Sequence, residues 1–120
     1  MFDDFLPTAA ALAGVDDLPD GITGQSILSA TQGGELPKRT LYWEFYERRF
    51  AQAVRHGKWK FVRYNEDDST AMLFDITQDI GERNNLAVEH PDVVKTMIAL
   101  IDEIRIENPY WKTPSEKKQN

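Results

Sequence analysis

At 120 residues, 41% hydrophobic and 28% charged, the chain has the balance of a globular protein with one core rather than two. A formal charge of −6 argues against general nucleic-acid binding, and the lack of cysteine excludes disulfides, thiolate metal sites and a cysteine nucleophile within this stretch. No apolar run approaches the roughly 18–20 residues of a membrane span, and Met1-Phe2-Asp3-Asp4 lacks the basic start of a signal peptide.

The first predicted element is a short helix over Asp4–Gly14, with Asp3 or Asp4 as cap, Pro7 tolerated in the first turn and Gly14 as the left-handed stop. Phe5, Leu6, Ala9, Ala10, Leu12 and Ala13 make it apolar nearly all round. Such a helix is expected to be buried on several sides, more than so small a domain provides. Pro19, Gly21 and Gly24 mark the loop that follows, with a helical turn at Gln25–Ala30 and breakers at Gly33-Gly34 and Pro37.

From Thr40 the pattern changes to that of strands. Leu41–Tyr46, Phe50–Arg55, Trp59–Tyr64 and Ala71–Ile76 are rich in aromatic and branched residues, and the turns between them are short. His56-Gly57 closes a hairpin and Asn65–Ser69 forms a polar turn, so the four strands predict an antiparallel meander.

After a loop at Asp79–Asn85, His90-Pro91-Asp92 opens a long helix, with Pro near its first position and an acid at the positive end of its dipole. Val93, Val94, Met97, Ile98, Ile101 and Ile104 form its apolar stripe, and Asn108-Pro109 is the expected stop. Trp43, Phe45, Trp59, Phe61 and Phe74 are expected to pack on that stripe. Residues 113–120 read as a frayed polar tail. The fold class is therefore α+β: a small antiparallel sheet of about four strands, covered by a long C-terminal helix, with an N-terminal apolar helix and loop. The division is 1–37 for that helix and loop, 38–112 for the sheet and its helix, and 113–120 for the tail.

Charge is unevenly spread. Lys38 to Arg63 holds eight basic residues against two acids, Glu44 and Glu47. Such a segment either faces an anion or pairs with the acidic remainder. The acid pairs Asp3-Asp4, Asp16-Asp17 and Asp67-Asp68 have no third ligand at useful spacing, so no metal site is expected. His56 and His90 sit in a turn and before a helix, without a catalytic partner.

Several stretches carry a resemblance. Asp4-Phe5-Leu6-Pro7-Thr8 with Leu12-Ala13-Gly14-Val15, then Asp20-Gly21-Ile22-Thr23-Gly24-Gln25-Ser26-Ile27-Leu28, Leu41-Tyr42-Trp43-Glu44-Phe45, and Gln52-Ala53-Val54-Arg55 with Gly57, Trp59 and Lys60 occur in that order. They are followed by Leu73-Phe74-Asp75-Ile76, Asp79, Gly81-Glu82 and Asn84-Asn85-Leu86. Together, over Asp4 to Ile104, they resemble the carboxy-terminal end of the sulfatase family in the alkaline-phosphatase-like superfamily, with Ile80 standing where that family usually has proline. Each motif also has a purely structural use. Gly57 permits a turn, Trp59 fills core, Asp75 and Asp79 bond loop N–H groups, and Asn84 caps or takes a left-handed conformation.

The resemblance implies a sulfuric ester hydrolase whose catalytic groups lie outside this chain. They would be a formylglycine made from Cys or Ser in Cys/Ser-x-Pro-x-Arg, Asp/Asn ligands for a divalent cation (usually calcium), and Lys and His around the sulfate. None of Ser26, Ser29, Ser69 and Ser115 begins such a motif, so this chain is expected to carry neither catalytic residue nor cofactor and to be inactive alone. What it is expected to supply is a rim. Glu44, Tyr46, Glu47, Arg48 and Arg49 are the candidate substrate-binding residues, since an arginine fork holds sulfate and an aromatic stacks on a sugar or aryl ring.

The partners implied are the catalytic domain and a sulfated small molecule or carbohydrate, without nucleic acid or membrane. Self-association through Phe2–Val15 is expected where the larger body is absent. The resemblance allows a periplasmic or secreted parent, and the chain itself fixes no destination. A free-standing binding module, or part of a related phosphonate or phosphate ester hydrolase, stays open as an alternative.

Overall fold

In the computed structural model, residues 1–118 are described, in two compact units that divide at Lys38/Arg39. Residues 119 and 120, the end of the expected polar tail, lie outside the described residues.

In the first unit a single 3-10 turn, Phe2–Asp4, leads into helix α1, Phe5–Ala13, which Gly14 ends with φ of 68°. A second short helix, α2, spans Leu28–Thr31, beginning later than the expected helical turn. The acid at position 4 does not cap α1. Buried Asp4 instead accepts the Gln25 N–H at 3.0 Å, and Thr8 Oγ1 accepts the Ile27 N–H at 3.1 Å while donating to the Asp4 carbonyl at 2.6 Å. The Asp4/Pro7/Thr8 motif and the Gly24-Gln25-Ser26-Ile27 motif are thus two halves of one clip. Gly24 is part of it, since a Cβ there would come within 1.9 Å of the Asp3 carbonyl oxygen. Helix α1 buries Pro7 and Ala10 and leaves Phe5, Leu6 and Leu12 exposed, so the unit covers less of it than its composition leads one to expect.

The second unit is a four-stranded antiparallel meander in the order β1-β2-β3-β4: β1 Leu41–Phe45, β2 Ala51–His56, β3 Trp59–Tyr64 and β4 Asp67–Asp75. Its two tight turns explain the register. Gly57 adopts φ of 58° between His56 and Trp59, which pair. Asn65 and Glu66 adopt φ of 53° and 58° between Tyr64 and Asp67, which also pair. Two residues suffice for that second turn, so β4 begins earlier than the polar composition of 65–69 indicates.

Helix α3, Pro91–Ile104, lies on one face of the sheet and buries Met97 and Ile101 against Val54, Phe61 and Leu73. Trp59, Val93, Val94, Ile98 and Leu100 pack around this core. The aromatic residues divide between the faces, a correction to the expected core. Trp43 pairs with Ala53, Ala53 with Val62 and Val62 with Met72, so Trp43 and Phe45 lie on the opposite face and are 41% and 55% exposed. Phe74 also sits there, buried, because its neighbour Leu73 points into the core. Parity along a strand says which residues share a face, but only the turns say which parity of the next strand joins them.

Helix α3 ends at Ile104, before Asn108-Pro109, because Arg105 turns extended (φ −62°, ψ 126°). The segment beyond it is not a frayed tail. Helix α4 spans Pro114–Lys118, Thr113 is buried, and Ser115 donates its N–H to Glu66 at 2.7 Å. The loop before α3 is held by carboxylates as expected. Asp79 accepts the N–H groups of Arg83 and Asn84, and Asp75 accepts the N–H and the hydroxyl of Thr77. The left-handed residue is Glu82, however, and it is Asn85 rather than Asn84 that bonds to the sheet, accepting the Leu73 N–H at 3.0 Å.

Candidate functional site

Tyr42 and Glu44 of β1, Gln52 of β2 and Arg63 of β3 share the covered face with the core, and Tyr42 packs against its edge. Register puts Glu44 opposite Gln52 and Gln52 opposite Arg63, so one polar row crosses three strands. Arg63 Nε donates to Gln52 Oε1 at 2.9 Å, Gln52 Nε2 to the Tyr42 hydroxyl at 2.9 Å, and Tyr42 to Glu44 Oε1 at 2.5 Å. Arg105 completes the row from the other side. Its Nε donates to Glu44 at 2.7 Å, and Nη1 and Nη2 form a fork with Glu116 at 2.7 and 3.0 Å. One guanidinium thus ties strand β1 to helix α4.

The electrostatics agree with this geometry. Burial acts to raise the pKa of Glu44, but the hydrogen bonds from Tyr42, Tyr46 and Arg105 outweigh it and hold the carboxyl below its usual range. Burial likewise acts to lower that of Arg105, and the bonds to Glu116 and Glu44 more than reverse it. Burial and the Glu44 bond push the Tyr46 phenol up to about 12, and the same two causes raise Tyr42 further. No buried side-chain N or O among the described residues lacks a hydrogen-bond partner. A fully satisfied row of this kind holds a shape.

Beside the row opens a cleft of about 410 Å³, lined by Glu44, Phe45, Tyr46, Glu47, Ile106, Asn108 and Trp111. One wall is the end of β1 and the link beyond it; the other is the segment between Arg105 and Thr113. Tyr46 joins them. Its hydroxyl lies within bonding reach of Glu44 Oε2 and of the Trp111 carbonyl at 2.9 Å, its ring is 5.3 Å from that of Trp111, and its one proton serves one acceptor at a time.

The five candidate residues are therefore adjacent in sequence but not alike in place. Glu44 and Tyr46 belong to the internal row and to the cleft floor. Glu47 lines the cleft. Arg48 and Arg49 are exposed; the Arg49 guanidinium stacks 3.5 Å from the centre of the Tyr64 ring, and Arg48 carries φ of 60°. A non-glycine side chain held in that conformation is uncommon and concentrates at functional positions. The residues missed from the sequence are Arg105, Asn108, Trp111 and Glu116, whose only signal was the Trp111 ring in a segment read as the approach to a tail. Among the described residues no group of three or more His, Asp or Glu is placed to hold a metal ion, and the sequence has neither cysteine nor Ser-x-Pro-x-Arg. The residues present therefore do not fit calcium or a formylglycine.

The fold recurs as part of larger solved chains. The chain superposes on BT4656, solved in complex with its substrate D-glucosamine-2-N,6-O-disulfate, with a TM-score of 0.66 and 25% identity, covering 83% of this chain and 22% of that one. It has the same fold as part of Ps i-CgsB in complex with k-i-k-neocarrahexaose (TM-score 0.71, 21% identity, 97% of this chain and 27% of that one). In sequence it is 26% identical to an N-acetylgalactosamine-6-O-sulfatase of Bacteroides thetaiotaomicron, over 44% of this chain and 13% of that protein. Residues 2–107 match the model of the family described as N-sulphoglucosamine sulphohydrolase, C-terminal, and the chain belongs to that family. It spans about a quarter of the length of these solved chains and less of the curated relative.

Proposed function

We propose that this chain is the C-terminal subdomain of a sulfuric ester hydrolase acting on a sulfated carbohydrate, with the ester broken by groups outside the 120 residues. The observation that carries this reading is the family match over residues 2–107, to which the substrates of the similar proteins add the carbohydrate. A formylglycine and a divalent cation would belong to the part that precedes this one in the parent. This chain's own contribution is to stiffen one side of the substrate site and to offer the link at residues 44–49 as rim. Within that link, Arg48 is the residue free to meet a sulfate.

The isolated chain is expected to release no sulfate from an aryl sulfate or from glucosamine-6-sulfate, with or without calcium. The full reading frame is expected to do so and to lose activity when its formylglycine precursor is replaced. Turnover by the isolated chain, abolished by substituting one of its own residues, would overturn the reading.

The apolar face of α1 has a place in the same proposal. Phe2, Phe5 and Leu12 are more than two-thirds exposed, a surface suited to the larger body in the parent and to a second copy in its absence. Light scattering is expected to show association of the intact chain and not of one starting after Val15. A monomeric intact chain at high concentration removes this part of the proposal.

A further inference from the structure

The geometry points to the cleft between Tyr46 and Trp111 as a subsite for a pyranose ring of a sugar chain, one that carries none of the chemistry; this rests on the sulfated-carbohydrate reading above. The cleft sets the exposed ring of Trp111, at 58%, beside polar groups. A pyranose presents that same pairing, a face of C–H groups and an edge of hydroxyls.

Asn108 Oδ1 accepts the N–H groups of Tyr110 and Trp111 at 2.9 and 3.1 Å, which fixes the amide and leaves Nδ2 as donor to a ligand hydroxyl. Glu47 supplies an acceptor on the facing wall. The lining contains no cation. Arg105 is not part of the lining, and it donates three hydrogen bonds to Glu44 and Glu116. The cleft is thus built to read a ring and its hydroxyls, not a sulfate. Its size falls in the usual range for small-ligand sites, and both walls are held before any ligand arrives, which lowers the ordering cost of a weak contact.

The test uses the full chain with a heparin-derived hexasaccharide and the same hexasaccharide desulfated and re-N-acetylated, read by NMR at the Trp111 indole and the Asn108 side-chain amide. Both sugars are expected to shift both signals. Trp111→Ala is expected to weaken both by about tenfold, as loss of an aromatic stacking platform does, while Trp111→Phe stays within about threefold. Trp43→Ala, on the other sheet face, is expected to change nothing. The subsite is overturned if neither sugar shifts Trp111. It is also overturned if only the sulfated sugar binds and Arg48→Ala, rather than Trp111→Ala, abolishes binding. Either result leaves the hydrolase reading standing, because that is judged by sulfate release from the full reading frame. Conversely, ring binding by a protein that releases no sulfate defeats the hydrolase reading and keeps the subsite.

Discussion

One sheet face carries two kinds of core. At the α3 end, Val54, Phe61, Leu73, Met97 and Ile101 exclude water by shape alone. At the other end, Glu44, Gln52, Arg63, Arg105 and Glu116 fill the equivalent place with hydrogen bonds. The apolar end is stabilised by area, is indifferent to orientation and tolerates exchange among similar side chains. The polar end gains little net stability, because each charge taken from water costs much of what its partner returns. What it gains is direction: a forked guanidinium holds helix α4, and with it the Trp111 wall, in one position relative to β1. The cleft lies at the polar end.

The contrast can be broken most severely at the apolar end. Met97→Asp or Ile101→Asp places an unpaired carboxylate where nothing can solvate it, and either is expected to cost more than about 4 kcal/mol and unfold the second unit in a urea titration. Ile98→Asp, at a half-buried position on the rim of that core, is expected to cost clearly less. Equal losses would mean that the helix face is assigned wrongly.

Arg105→Met at the polar end is expected to cost about 2 kcal/mol, the worth of hydrogen bonds to charged groups, and to leave α3 and the sheet intact by circular dichroism. A pH titration separates the ends further. Glu44 and Glu116 titrate below their ordinary values in the fold, and Asp75 is held at about 2 by hydrogen bonds from Lys58 and Thr77. Depressed carboxyls stabilise the fold above their unfolded values, and that contribution is lost as pH falls through the folded ones. Stability is therefore expected to be level above about pH 5 and to fall between about pH 4 and pH 2. The fall should be shallower in Asp75→Asn, and an unchanged slope in that variant would remove Asp75 from the account. The smallest effect is expected at Arg48. Glycine relieves its left-handed backbone, so Arg48→Gly is expected to raise stability by up to about 1 kcal/mol, and a loss would show that the side chain supports the fold.

The apolar end was legible in the sequence because periodicity reports it: Val93, Val94, Met97, Ile98 and Ile101 at helical spacing, and four strands with short turns. What periodicity left open was which strand parity faced the helix, and Trp43, Phe45 and Phe74 were misplaced for that reason. The polar end was illegible because its partners are far apart in the chain. Arg105 meets Glu44 across 61 residues, and Ser115 meets Glu66 across 49. A charged residue read alone belongs by default to solvent, and a run such as Ser115-Glu116-Lys117-Lys118 reads as a tail. Of the candidate cleft, the link at 44–49 was singled out by its aromatic and basic composition, while the wall it faces was not.

The most direct test is native-state hydrogen exchange at the amides of Thr113 and Lys117. Thr113 donates to Glu116 at 2.7 Å, and Lys117 to the Thr113 carbonyl at 3.1 Å, both in the segment that Arg105 ties down. Both amides are expected to be protected in the intact chain and to exchange as free coil in Arg105→Met, while the Ile101 amide in α3 keeps its protection. Coil-like exchange at Thr113 and Lys117 in the unmodified chain would contradict the account, since the second wall of the cleft would then have no fixed place.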